Sequence, residues 1–173
     1  MRINLILLIS LTALTSCSSG QLRNPDRNIL FVCGGNTGRS PMGESLAKNL
    51  FVTPSFSRGI NVDSAGSILP EPNAVDVMKE VGLDLSAHRA RAVSVQDLED
   101  ASLVLVMTKI HEEKLIKLSP IHGSKIHLLS QCADGTQTDV ADAFGKPLEF
   151  YRGTRNQISH YSKIISKNGW NCR

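Results

Sequence analysis

Cys33 and Arg39 stand with five residues between them in the stretch "CGGNTGRS", Cys33–Ser40. A thiolate is a strong nucleophile, and the N-terminus of a helix and a nearby guanidinium both favour it over the thiol. Arg39 supplies the guanidinium. Ser40, followed by Pro41, reads as a helix N-cap and first helical residue, so the loop runs into a helix start. The hydroxyl of Ser40 is also placed to donate to the sulfur. Gly34, Gly35 and Gly38 keep side chains out of the loop, and Asn36 and Thr37 complete it. Backbone N–H groups in such a loop turn inward and cradle an anion. The planar fork of Arg39 matches two phosphate oxygens at once. A thiolate beneath a phosphate held this way is aligned for attack on phosphorus.

This pattern is that of a cysteine-dependent phosphatase rather than a nucleotide P-loop. The P-loop requires a lysine after its last glycine, and here Arg39 follows Gly38. A cysteine and an arginine at this spacing carry little weight alone. Their place between a buried strand and a capped helix gives them meaning.

The elements that must position the loop follow from hydrophobic patterning. "NILFVC" (28–33) is continuously apolar after its first residue, as in a strand buried on both faces. Met42, Leu46 and Leu50 place an apolar stripe on the helix that follows. "INVDSAG" (60–66) reads as a second strand. "EPNAVDVMKEVGLD" (71–84) reads as a helix stopped by Gly82, with Val77, Met78 and Val81 inward. "SLVLVMT" (102–108) is a third strand, "KIHEEKLIKLS" (109–119) a helix ended by Pro120, and "SKIHLLS" (124–130) a fourth strand. A long polar loop, "QCADGTQTDVADAFGKP" (131–147), leads to a last helix over Leu148–Lys167. Tyr151, Ile158, Tyr161 and Ile165 mark its buried face, and Gly153 weakens it by roughly 1 kcal/mol. Strands alternating with helices predict an α/β domain with a mostly parallel sheet. Ligands in such sheets bind beyond the carboxyl ends of the strands, where Cys33 lies.

The 173 residues, 41% hydrophobic and 20% charged, suit one globular domain. A formal net charge of +3, with lysines and arginines scattered, does not point to nucleic acid. The first segment reads separately from the fold. Arg2, the apolar run Ile3–Leu14 and the small residues before Cys17 have the order of a secretory signal over residues 1–16. "LTSC" resembles a lipoprotein lipobox, which implies lipidation at Cys17, export and a membrane anchor. The alternative is a cytoplasmic protein whose leader is not real. Residues 17–27 then form the lipidated cysteine and a polar tether, and 28–173 the catalytic domain. Beyond Cys17, the cysteines are Cys33, Cys132 and Cys172, an odd number. In an oxidising compartment Cys132 and Cys172 are able to bridge. The histidines form no metal-ligand spacing.

"FVCGGNTGRSPMGESLA" resembles the signature of the low-molecular-weight protein tyrosine phosphatases. "SAG" (64–66), "GLDLSAHRAR" (82–91), "DASLVLVMT" (100–108) and "DVADAFG" followed by "EFYRGTR" (139–155) resemble that family in the same order. The resemblance implies a three-layer α/β/α fold around a four-stranded parallel sheet, with no metal or cofactor. It implies Cys33 as nucleophile, Arg39 as phosphate ligand and Ser40 as the hydroxyl that steadies the thiolate. Asn36 would shape the loop, Ser64 would support it, and Asp142 would be the general acid. Asp139 is the weaker candidate for that role. The implied substrate is a phosphorylated protein or small aryl phosphate, with Phe144 on its rim.

The match has departures. Gly38 stands where many relatives carry a second cysteine, Ala143 where they have proline after the acid. Gly145 follows Phe144, and Ile68 and Leu69 stand where many have tryptophan. Thr37 keeps a protein-arginine phosphatase reading open beside the tyrosine one. Arsenate reduction would need relay cysteines that "MTKIHEEKL" lacks. A phosphate-binding lipoprotein without catalysis would leave Cys33, Arg39 and Asp142 together unexplained.

Overall fold

A computed structural model describes residues 27–62 and 68–172. Four strands, β1 (Ile29–Cys33), β2 (Ser55–Gly59), β3 (Leu103–Val106) and β4 (Ile126–Leu128), form one parallel sheet in the order β2-β1-β3-β4. Among the described residues, six α-helices connect and flank them: α1 (Arg39–Leu50), α2 (Pro72–Lys79), α3 (Val95–Asp100), α4 (Lys109–Leu118), α5 (Leu129–Asp134) and α6 (Leu148–Lys167). A 3₁₀ turn, Pro120–Lys125, joins α4 to β4.

β1 is buried along its whole length because both faces are covered. Ile29, Phe31 and Cys33 face one core with Met42 and Leu46 of α1, Val77 of α2 and Ile158 and Ile165 of α6. Leu30 and Val32 face the other, with Leu98 of α3 and Leu115 of α4. This is the three-layer α/β/α arrangement expected from the sequence. α1 lies so close on the sheet that a Cβ on Gly43 would come within 2.6 Å of Phe31. Gly43→Ala is therefore expected to lower stability by about 1–3 kcal/mol, read from the denaturation midpoint. An unchanged midpoint would mean that the two layers can separate without cost.

The second strand differs from its expected position. β2 is "SFSRG", before "INVDSAG", and pairs Ile29 with Ser55 through Cys33 with Gly59. Its inward residues are small and polar because they serve α1. Ser55 Oγ donates to the Glu44 carbonyl at 3.1 Å, and Ser57 Oγ to the Glu44 carboxylate at 2.6 Å. Apolar pattern therefore does not mark this strand. Ile60 and Asn61 have left the sheet to bond the carbonyls of Cys33 and Gly34, at 3.0 and 2.9 Å. Residues 63–66 of the expected strand lie outside the described residues.

Smaller corrections concern helix ends. α2 stops at Lys79, with Gly82 at φ +77° in the turn beyond it. Val81 is exposed there, as is Leu50 at the end of α1. Ser94 caps α3 with a capping box, a helix that the sequence pattern does not reveal. The polar loop after β4 begins as α5. α6 spans Leu148–Lys167 as expected, with Tyr151, Ile158, Tyr161 and Ile165 all buried.

Cys132 of α5 and Cys172 are joined by a disulfide closing 40 residues of chain. Trp170, beside it, packs edge-on against Phe31 and Phe51. Loss of the bridge in Cys172→Ser is expected to cost about 2–4 kcal/mol. Chemical denaturation of the two proteins side by side checks this, and coincident transitions would show the bridge to be energetically idle.

Candidate active site

The chain reverses its direction across the sheet between β1 and β3, and β1 ends at Cys33. Residues 34–38 wrap the space above that end, and α1 starts at Arg39. The Cys33 sulfur lies 3.1 Å from Ser40 Oγ and accepts the Asn36 backbone N–H at 3.3 Å. Ser40 is not the N-cap expected from its type. Gly38 occupies that position without a capping side chain, and Ser40 is buried in the first turn. Asn36 Nδ2 donates to Ser40 Oγ at 2.9 Å, which leaves the single hydroxyl proton of Ser40 for the sulfur or for the Arg58 carbonyl, 3.2 Å away.

Asn36 explains how so bare a loop stays in shape. It is buried and adopts φ +55°, a left-handed conformation that asparagine tolerates better than most residues. Its side chain also donates to Ser57 Oγ at 3.0 Å and accepts the Arg91 N–H at 2.9 Å. Its carbonyl lies 2.7 Å from His88 Nε2, so that nitrogen carries the proton. Burial pulls the His88 pKa down, which favours the neutral ring already engaged in this bond. Gly59 comes so close beneath the loop that a Cβ there would sit 2.8 Å from the Gly34 carbonyl oxygen.

Arg39 points across the mouth of the loop. It donates to the Val140 carbonyl at 3.2 Å and to Asp142 Oδ2 at 2.6 Å. Asp142 Oδ1 accepts the Phe144 N–H at 3.2 Å. The loop carrying Asp142 lacks the proline expected from the resemblance and is tied down in other ways. Val140 donates its N–H to the Met107 carbonyl at 2.8 Å. Thr154 Oγ1 donates to the Ala141 carbonyl at 3.1 Å, and Gln157 accepts the Ala141 N–H at 3.0 Å. Asp139 is occupied elsewhere, its Oδ1 accepting the Lys109 N–H at 2.9 Å at the start of α4.

A cleft of about 230 Å³ opens above the sulfur. Cys33, Gly34, Gly35, Thr37, Gly38 and Arg39 form its floor and one wall, and Asp142, Ala143 and Phe144 another. Phe144 stands on the rim with 72% of its surface exposed. Lining residues that escaped the sequence reading in this role include Met42, Glu71, Tyr151 and Thr154. The spacing of Tyr151 and Thr154 on α6 was available as a signal, but it equally fits the core. Ser64 and Cys17 lie outside the described residues. His, Cys, Asp and Glu form no group of three able to hold a metal ion among the described residues.

His111 of α4 backs the loop, with Nε2 3.7 Å from where a Gly34 Cβ would stand. It is buried and its Nδ1 has no hydrogen-bond partner. Burial first, then the positive charges of Arg39 and Lys114, pull its pKa down to about 4. The unfolded chain, with an ordinary histidine near pKa 6.5, binds this proton more tightly. The stability that neutral His111 permits is therefore present above about pH 6.5 and lost as pH falls towards about 4. Melting temperatures between pH 7 and 4 should fall more steeply for this protein than for His111→Gln. Parallel profiles would remove His111 as the cause.

A family model, low molecular weight phosphotyrosine protein phosphatase, matches residues 28–167. The chain belongs to this family. It is a phosphatase. A protein-arginine-phosphatase of Geobacillus stearothermophilus is 36% identical over 135 residues, covering 75% of this chain and 87% of its own. The low molecular weight protein-tyrosine-phosphatase PtpB of Staphylococcus haemolyticus is 36% identical over 131 residues, covering 75% and 91%. Among solved structures, the YwlE arginine phosphatase, as a cysteine-to-serine mutant with a phosphorylated active-site serine, superposes with a TM-score of 0.77. It is 29% identical and covers 82% of this chain and 94% of its own.

Proposed function

We propose that this phosphatase hydrolyses phosphotyrosine-type phosphomonoesters through a phosphocysteine on Cys33, and that the same cleft admits phosphoarginine. The observation that carries this reading is the sulfur of Cys33 held beneath the cleft by the Asn36 N–H and Ser40 Oγ. Negative charge on sulfur is matched there by hydrogen-bond donors fixed before any substrate arrives.

A bound phosphate would compete with Asp142 for the fork of Arg39, which frees the carboxyl to act as an acid. Cys33 then attacks phosphorus as the bond to the leaving atom breaks, and Asp142 gives its proton to that oxygen or nitrogen. Water next attacks the phosphocysteine, Asp142 takes a proton from it, the S–P bond breaks, and inorganic phosphate leaves. Thr37 in the loop supports the arginine reading, and exposed Phe144 supports an aryl leaving group. A serine at position 33 would be expected to hold the phosphate as a stable ester, as in the phosphorylated relative. Cys33 is the free cysteine among the described residues. Iodoacetate should therefore inactivate the enzyme by alkylating Cys33, and inorganic phosphate should protect it. Inactivation that phosphate does not slow would tell against an anion seated over this sulfur.

We also propose that residues 1–16 direct export, that Cys17 carries a lipid, and that 17–27 tether the domain of 28–173 to a membrane. The bridge between Cys132 and Cys172 supports an oxidising compartment, since such bonds are rare where thiols are kept reduced. None of the helices among the described residues is long and apolar enough to cross a membrane. The anchor in this reading is the acyl chain. Labelled palmitate should enter the full chain and not Cys17→Ala, and equal labelling of both would exclude Cys17.

A further inference from the structure

Glu71 puts a carboxylate on the wall of the cleft above the Cys33 sulfur. It lies just before α2, and its backbone N–H bonds the Thr37 carbonyl at 3.0 Å. Its Oε1 accepts the Thr37 hydroxyl at 2.9 Å. That oxygen would be 3.5 Å from a Cβ on Gly38, so the carboxylate lies directly against the loop. Its other oxygen, Oε2, accepts the hydroxyl of Tyr151. Burial of Tyr151, with the Glu71 carboxylate beside it, raises the tyrosine pKa and keeps that hydroxyl a donor. Both hydroxyls therefore point their protons at Glu71.

The orientation of Thr37 has a chemical consequence. A hydroxyl has one proton and two lone pairs. With its proton committed to Glu71, Thr37 Oγ1 offers the cleft only lone pairs. Phosphate oxygens and ester oxygens are themselves acceptors and gain nothing from it. A guanidine leaving group carries N–H donors and does.

We infer that Glu71, braced by Tyr151, is a positioning residue that holds Thr37 as a hydrogen-bond acceptor and so tilts the cleft towards phosphorylated guanidines over aryl phosphates. The inference rests on the phosphatase reading above. In the favoured reaction the N–P bond breaks, the S–P bond to Cys33 forms, and the guanidine nitrogen takes the Asp142 proton, as a site rich in acceptors near the leaving group would assist.

The test is the ratio of kcat/KM for a phosphoarginine peptide to that for p-nitrophenyl phosphate, measured on the full chain. Glu71→Ala should lower this ratio at least about tenfold, the scale of one hydrogen bond to a charged group. Glu71→Gln keeps an acceptor for Thr37 and a donor for the Tyr151 oxygen, and should hold the ratio within about threefold. Thr37→Val should lower the ratio as Glu71→Ala does, and the double variant should lower it no further. A purely structural role would reduce both substrates together and leave the ratio unmoved, which would overturn the inference. So would failure of the unaltered enzyme to cleave phosphoarginine. If the unaltered enzyme cleaves neither substrate, the phosphatase reading itself fails.

Discussion

Cys33→Ser should lose turnover by about 10⁴-fold or more, the scale seen when a covalent nucleophile is removed. The substitution keeps a hydroxyl where the sulfur was, 3.1 Å from Ser40 Oγ and within reach of the Asn36 N–H. Binding geometry is thus retained, and the loss reports chemistry. An alcohol oxygen is a far weaker nucleophile at neutral pH than a thiolate. Any phosphate it accepts forms an ester that is a poor leaving group in the second step. The variant should still bind phosphate analogues, and under prolonged exposure to substrate it should accumulate phosphoserine at position 33. Steady-state assays with p-nitrophenyl phosphate, together with intact-mass measurement, check both points. A variant that turns over at even a tenth of the normal rate would assign the nucleophile elsewhere.

The second large effect concerns Asp142, and it should depend on the substrate. Asp142→Ala removes the proposed proton donor for the leaving group, and general acid catalysis contributes about 10²- to 10⁴-fold. Nitrophenolate leaves without help, so p-nitrophenyl phosphate should be affected least. Phosphotyrosine and phosphoarginine peptides, with more basic leaving groups, should lose most of that factor. The same substitution frees Arg39 from a contact of 2.6 Å, so phosphate affinity should not weaken and KM should not rise. Equal losses in kcat for all three substrates would show that Asp142 only shapes the loop. A rise in KM for all three would give it a binding role in place of the acid one.

The strand-to-loop-to-helix run from Ile29 to Ala47 was legible because several signals agree there. A strand buried on both faces has to be continuously apolar, and a loop built of backbone amides has to be poor in side chains. The place of Asp142 on the cleft beside Arg39 was legible through the resemblance of "DVADAFG". β2 was hidden because its inward serines answer the hydrogen-bonding needs of Glu44 and Asn36 rather than the hydrophobic effect. Ser40 was misread as a cap because its type suits a cap, whereas the fold uses its hydroxyl beneath the sulfur. Glu71 and Tyr151 lie 80 residues apart and meet only when α2 and α6 pack on the same side of the sheet. No local pattern links them. The ties that replace the missing proline before Phe144 come from Thr154 and Gln157, which reach back from the next helix, α6, to Ala141 and look like ordinary helix positions in the sequence.

The covalent step is open to direct observation. The full chain, mixed with excess p-nitrophenyl phosphate and quenched during turnover by denaturation at high pH, should carry phosphate on one peptide. Mass spectrometry should place it on the Cys33 sulfur, and its amount should rise and fall with the burst and decay of product release. Phosphate on another side chain, or none on Cys33 while nitrophenol is still being released, would contradict attack by this sulfur.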